Sequence, residues 1–181
     1  MAKREIITIP APLLRKPSAA IERVDDDLRA LMDDMLETMY AAPGIGLAAV
    51  QVAVPRRVIV MDTSWREKDG EEGGEPVAKA PICMVNPEIL AFSDELRPHE
   101  EGCLSIPDFY AEIERPRAIR VRYIDREGHP QEITAEDVLA TVIQHEVDHL
   151  DGKLFIDYLS RLKRDRVIKK FVKAAKGEVV A

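Results

Sequence analysis

The stretch Thr134–Gly152, TAEDVLATVIQHEVDHLDG, decides how this chain is read. Val138, Leu139, Val142, Ile143 and Leu150 recur at helical spacing, and Gly152 is placed to end the run. Thr134 is expected to cap the helix, with Asp137 three residues later near the positive end of its dipole. His145 and His149 then project from one face, roughly 5–6 Å apart at Cβ. Two imidazoles at that separation can grip one divalent ion. Glu146 stands beside the open coordination position, where it can take a proton from water. The competing reading is a polar face on an ordinary helix.

A third ligand decides the kind of site. The longer pattern HExxHxxGxxH is met as far as Gly152, but its last histidine position holds Phe155. A downstream glutamate would serve instead, yet the only one after His149 is Glu178, inside a basic tail. Both protease-type layouts therefore lack a good third ligand. Upstream, Glu100–Pro107 reads EEGCLSIP, where Gly102 permits close backbone approach beside Cys103. One thiolate and two imidazoles make a three-ligand set that leaves a fourth position free. Cys83, within PICMV, reads as a small buried hydrophobe. A Cys83–Cys103 disulfide is the rival use of the two cysteines.

A third segment, GIGLAAVQ at 44–51, has small residues that leave room for a ligand backbone, and Gln51 offers an amide donor. Taken alone it reads equally as a tight turn. Ahead of it, Asp25–Tyr40 is an amphipathic helix whose Leu28, Leu31, Met32, Met35, Leu36 and Met39 belong to a core. Strand-like pieces follow at Arg57–Met61, Ile82–Val85, Glu88–Phe92, Ala118–Asp125 and Gln131–Thr134, with a turn at 126–129. Between them, 64–80 is charged and glycine-rich, expected to be a surface loop and mobile. IDYL (156–159) reads as strand-like. His129 is expected to be exposed in its turn, and His99 fits no pattern. The order predicts an α+β fold, mostly antiparallel strands packed around a central metal-binding helix, with N-terminal and C-terminal helices.

Length and composition set the outer bounds. The 181 residues suit a single domain spanning 1–181, and 46% hydrophobic with 33% charged residues is globular rather than disordered. No apolar run is long enough to span a bilayer, and the first residues lack a secretory pattern, so a cytoplasmic protein is expected. The net charge of −7 disfavours general nucleic-acid binding, DNA included. Charge is uneven: from Ser160 to Ala181 eight Lys/Arg stand against Asp165 and Glu178, a net +6, leaving the remainder at −13. The 160–181 segment reads as a basic C-terminal helix, either a solvated face or a docking element for an acidic partner such as structured RNA.

GIGLAAVQ (44–51), EGCLS (101–105) and HEVDH (145–149), in that order, resemble the peptide deformylase family, whose hallmarks GxGxAAxQ, EGCLS and HExxH they match without a mismatch. The opening IITIPAPLLRKPS and the methionine-rich first helix extend the likeness over nearly the whole chain. The resemblance implies hydrolysis of the formyl group from N-formylmethionine at the start of nascent chains. It implies Cys103, His145 and His149 as metal ligands, usually of Fe²⁺, with Zn²⁺, Ni²⁺ or Co²⁺ able to replace it. Glu146 would be the general base and acid, and Gln51 and the Leu104 backbone N–H would face the formyl oxygen. Val138, Thr141 and Val142 share the His145 face, and with Ile45 they are the candidates for an apolar slot taking the methionine side chain. Gly46 and Gly102 would let the substrate backbone approach, and the Gly44–Leu47 edge could pair with it. Tyr110 stands where some bacterial relatives carry arginine. In bacterial-type members a C-terminal helix can dock on the ribosome, which gives the basic tail a meaning. Two rivals stay open: a peptidase using HEVDH, and a structural metal site, which would normally close with four protein ligands.

Overall fold

The computed structural model describes residues 2–65 and 78–177. Its first helix, α1 (Asp26–Ala41), starts where the Asp25 carboxylate accepts from the Leu28 N–H. Six strands then precede the site helix together with a short one, β1 (Gly46–Ala48). They are β2 (Val58–Met61), β3 (Ile82–Phe92), β4 (Leu96–Cys103), β5 (Ile106–Pro116), β6 (Ala118–Ile124) and β7 (Pro130–Glu136). Helices α2 (Asp137–Leu150) and α3 (Arg161–Ala175) follow. The result is the α+β fold expected, with every strand pairing antiparallel.

Five strands form one sheet in the order β1-β2-β3-β6-β7, and β4 and β5 form a separate two-stranded ribbon. The sequence of β2, VIVM, explains why the sheet lies in the middle. Val58 and Val60 pack with α1, whereas Ile59 and Met61 pack with α2. A strand apolar on both faces must be covered on both. The ribbon closes a third core with the N-terminal segment and α3, through Ile9, Leu14, Ile106, Ile113, Phe155 and Val167. Along that seam the Ile7 N–H donates to the Gln51 carbonyl and the Ile9 N–H to the Ser105 carbonyl. The chain start thus ties two of the sequence motifs together.

Several local expectations change. The pieces at 82–85 and 88–92 are one strand, bulged where Asn86 adopts φ 49° and its side chain clasps the Ile21 N–H and carbonyl. Thr134 does not cap α2: it lies in β7 opposite Arg120, and the helix begins only at Asp137. Sheet hydrogen bonding outweighs the local capping preference there. IDYL is not a strand, because Phe155–Tyr158 form a 3-10 turn. The ribbon itself went unread: β4 mixes Pro, His and Glu without apolar alternation, and the alternation of Phe109, Ala111 and Ile113 along β5 was passed over. Gly152 does end α2 at φ 75°, and a Cβ there would lie 2.5 Å from the Arg15 carbonyl oxygen. The expected mobility of the 64–80 loop falls largely outside the described residues. Among the described residues no helix is long and apolar enough to cross a membrane.

Candidate metal centre

Helix α2 delivers His145 and His149 from consecutive turns, their ring centroids 5.1 Å apart. The end of β4 brings Cys103 against them, so that one ligand atom from each of the three lies within 4.8 Å of the others. Cys103 Sγ is 3.3 Å from His149 Nε2. Cys83 is buried elsewhere and both cysteines are free thiols, which removes the disulfide. Phe155, at the position where a third histidine would stand, stacks on the His145 ring at 5.9 Å. It supports a ligand where it could have replaced one.

A charged relay fixes the ligands from behind. His145 Nδ1 lies 2.8 Å from Glu101 Oε1, which places the ring proton on Nδ1 and leaves Nε2 to face Cys103. Glu101 in turn accepts from Arg115 Nε and Nη2, at 2.7 and 3.0 Å, and Arg115 Nη1 donates to Asp148 Oδ2 at 2.9 Å. Tyr158 donates to the same Asp148 oxygen. Burial alone would raise the Glu101 carboxyl, but His145 and Arg115 overcome it and hold it low. Burial alone would likewise depress His145, yet Cys103 and Glu101 raise it well above its ordinary value. Burial, reinforced by the neighbouring His145, holds His149 well below its ordinary value. The thiolate-and-imidazole donor set therefore fits a divalent ion. The sequence missed Glu101, Arg115 and Asp148 as a set, although the first opens EGCLS and the last lies inside HEVDH.

Glu146 is 4% exposed, and its Oε2 has no hydrogen-bond partner among the described residues. Burial, reinforced by Glu101 and Asp148, pushes its carboxyl up to about 7. Such a group can both take and return a proton near neutral pH. Gly46 makes its position possible: a Cβ there would fall 2.5 Å from Glu146 Oε1 and 2.9 Å from Val142 Cγ1. Gln51 sits in a 3-10 turn (Ala49–Val52), where its Oε1 accepts from the Ala48 N–H at 2.9 Å. That bond aims Nε2 at Ser105 Oγ, 3.1 Å away, and toward Cys103 Sγ at 3.6 Å.

These groups line one cavity of about 420 Å³. Ile45, Gly46, Gln51, Gly102, Cys103, Leu104, Thr141, Val142, His145 and Glu146 all border it. Val138 does not, because it packs with the α2 side of the sheet. His99, patternless in the sequence, borders the outer part with Glu100, Asp108 and Tyr110. Gly102 leaves room for the Tyr110 ring, which a Cβ would meet at 2.5 Å, and Gly44 does the same for Leu104 at 2.7 Å.

Comparisons with known proteins agree on one family. The sequence model for polypeptide deformylase matches residues 3–165. The peptide deformylase of Bartonella tribocorum is 55% identical over 176 residues, covering 97% of this chain and 95% of that one. The crystal structure of peptide deformylase from Ehrlichia chaffeensis superposes with a TM-score of 0.87 at 41% identity, covering 99% of this chain and 100% of its own. A second structure of that protein, in complex with actinonin, gives a TM-score of 0.85 at 44% identity, with the same coverage.

Proposed function

This chain belongs to the polypeptide deformylase family, and from that premise we propose how its own residues remove the formyl group from the N-terminal formylmethionine of nascent polypeptides. Cys103, His145 and His149 would hold one divalent ion, which would supply Lewis acidity and make water acidic enough to ionise near neutral pH. We take Fe²⁺ as the resident ion, with Zn²⁺, Ni²⁺ or Co²⁺ as substitutes, since a thiolate with two imidazoles suits all of them. The site is read as part of one catalytic domain spanning 1–181.

Glu146 receives the proton of the attacking water at its free Oε2 and passes it to the departing amine nitrogen, so that formate and a free amino terminus are the products. Gln51 Nε2 and the Leu104 N–H donate to the formyl oxygen as it gains negative charge. A donor of this kind is worth about 2.7–4 kcal/mol of barrier. Val142, Thr141 and Ile45 accept the methionine side chain, while Val138 backs the slot from the core. β1 is an edge of the large sheet, free to pair with the substrate backbone beside Gly46 and Gly102. Burial of Glu146 and both histidines keeps bulk water from competing.

The observation that carries this reading is the convergence of Cys103, His145 and His149 within 4.8 Å beside an unpartnered Glu146 oxygen. It also weighs against a structural site, which has no use for such a carboxylate. The helix α3 extends the reading to the ribosome: its only buried residue is Val167, so its basic face is available to RNA. A cytoplasmic location follows from that partner. Formate release from a formyl-Met peptide by metal-replete protein tests the activity. Glu146→Ala is expected to lower kcat about 10²–10⁴-fold with the ion still bound. Undiminished turnover in that variant would overturn the mechanism.

A further inference from the structure

Asp62, the residue after β2, is 1% exposed, and the groups that meet its carboxylate are neutral donors. Tyr40 Oη donates to Oδ2 at 2.5 Å, and the Ala80 N–H donates to the same oxygen at 2.9 Å. The Ser64 hydroxyl and N–H donate to Oδ1 at 2.6 and 2.9 Å. Burial alone would raise this carboxyl, but these bonds hold it below its ordinary value. A buried charge met by neutral partners is costly. Here it is also irreplaceable by an amide. A backbone N–H meets each oxygen, so an asparagine would turn its own hydrogens toward one of them.

Asp62 does not border the cavity, yet it is joined twice to the stretch that forms one of its walls. Ala42, Pro43, Gly44, Ile45 and Gly46 line the cavity as a strap between α1 and β1. At one end of the strap, Tyr40 ties the last turn of α1 to the Asp62 carboxylate. At the other, the Asp62 N–H donates to the Ile45 carbonyl at 2.9 Å. The chain from Tyr40 to Ile45 is thus a loop whose two ends close on one residue. Within it the Gly44 N–H donates to the Met39 carbonyl. The Tyr40 ring is steadied in turn, with Trp65 edge-on at 5.7 Å and Lys79 Nζ 4.1 Å above its face. Ile45 packs against the cluster that contains Val142, so the placement of the strap sets where the methionine slot is bounded.

We propose that Asp62 and Tyr40 are positioning residues for the reaction: by closing the strap on itself they hold Ile45 and the β1 edge where a formyl-methionyl peptide binds. The inference rests on the deformylase reading and assigns substrate affinity within it to two residues outside the cavity. The chemical step is insulated from them. His145, Glu146 and His149 come from α2 and Cys103 from β4, and Gly46, which seats Glu146, is held separately in the ladder opposite Met61. Opening the loop therefore weakens binding of ground state and transition state alike, which raises KM and spares kcat.

Replacing Asp62 itself would strand several donors at once, so the test removes single hydroxyls from the same carboxylate. Tyr40→Phe keeps the ring but opens the loop, whereas Ser64→Ala leaves the loop closed. Both are assayed as metal-replete protein on formyl-Met-Ala-Ser, with metal content and circular dichroism measured alongside. Tyr40→Phe is expected to raise KM about fivefold to tenfold, with kcat within about twofold of the wild type. Ser64→Ala should leave both constants unchanged. A merely structural role would lower the melting temperature and the active fraction, so that kcat falls while KM holds; that result in Tyr40→Phe overturns the proposal. So does an unchanged KM in Tyr40→Phe, or an equal rise in the two variants. Failure of the wild-type protein to release formate would instead bring down the deformylase reading, and this proposal with it.

Discussion

Helices α2 and α3 are almost equal in length, 14 and 15 residues, and could hardly be used more differently. Ten residues of α2 are buried, among them Gln144, His145, Glu146 and His149. Polar groups taken from water in that number persist only when each is bonded or has work to do. Here Gln144 bonds the Pro116 and Ala140 carbonyls, His145 bonds Glu101, and Glu146 faces the cavity. In α3 only Val167 is buried, and its arginines and lysines stand in solvent except for the half-buried Arg164. One helix is specified by what surrounds it; the other presents a charge pattern outward. Substitutions on α2 and its supports should therefore alter chemistry, whereas changes on α3 should alter only where the protein goes.

Four experiments sharpen that contrast. Cys103→Ala, which removes one ligand to the α2 histidines, should lose the ion and reduce formate release to background, as metal analysis and a formyl-peptide assay would record. Arg115→Met comes next. It leaves the buried Glu101 without its guanidinium and with only His145 as partner, with a cost of about 3–5 kcal/mol in denaturant unfolding. It also loosens His145, lowering metal affinity roughly 10–100-fold in a chelator competition. Gly46→Ala should keep the ion but displace Glu146 or Val142, cutting kcat about tenfold or more; unchanged kcat would mean that the close approach of Gly46 is incidental. Truncation before Arg161 should weaken ribosome co-sedimentation and leave turnover of a short formyl-peptide intact. If ribosome binding survives, the tail is a solvated face and no more.

Much of the site was legible because its information is local. His145 and His149 need only helical spacing to be placed together, and α2 forms where the periodicity of Val142, Ile143 and Leu150 puts it. Its first turn was misjudged because Thr134 has two possible partners, the helix N-terminus and Arg120 across the sheet, and only the fold reveals which one wins. The relay was invisible for a related reason. Glu101 and Arg115 sit fourteen positions apart on strands whose pairing rests on charged and small residues, and nothing in one stretch announces the other. Gly46 shows the limit from the other side: the sequence reads it as room for a ligand, while the structure also uses it to seat Glu146.

The brevity of β1 has a consequence for throughput. A strand three residues long offers a guest very few backbone bonds, so the grip on any chain is confined to its leading end. Whatever follows stays unheld, free to keep lengthening or to begin folding while the cut is made. Short tenure of this kind lets a single copy pass quickly from one chain to the next, because departure costs little.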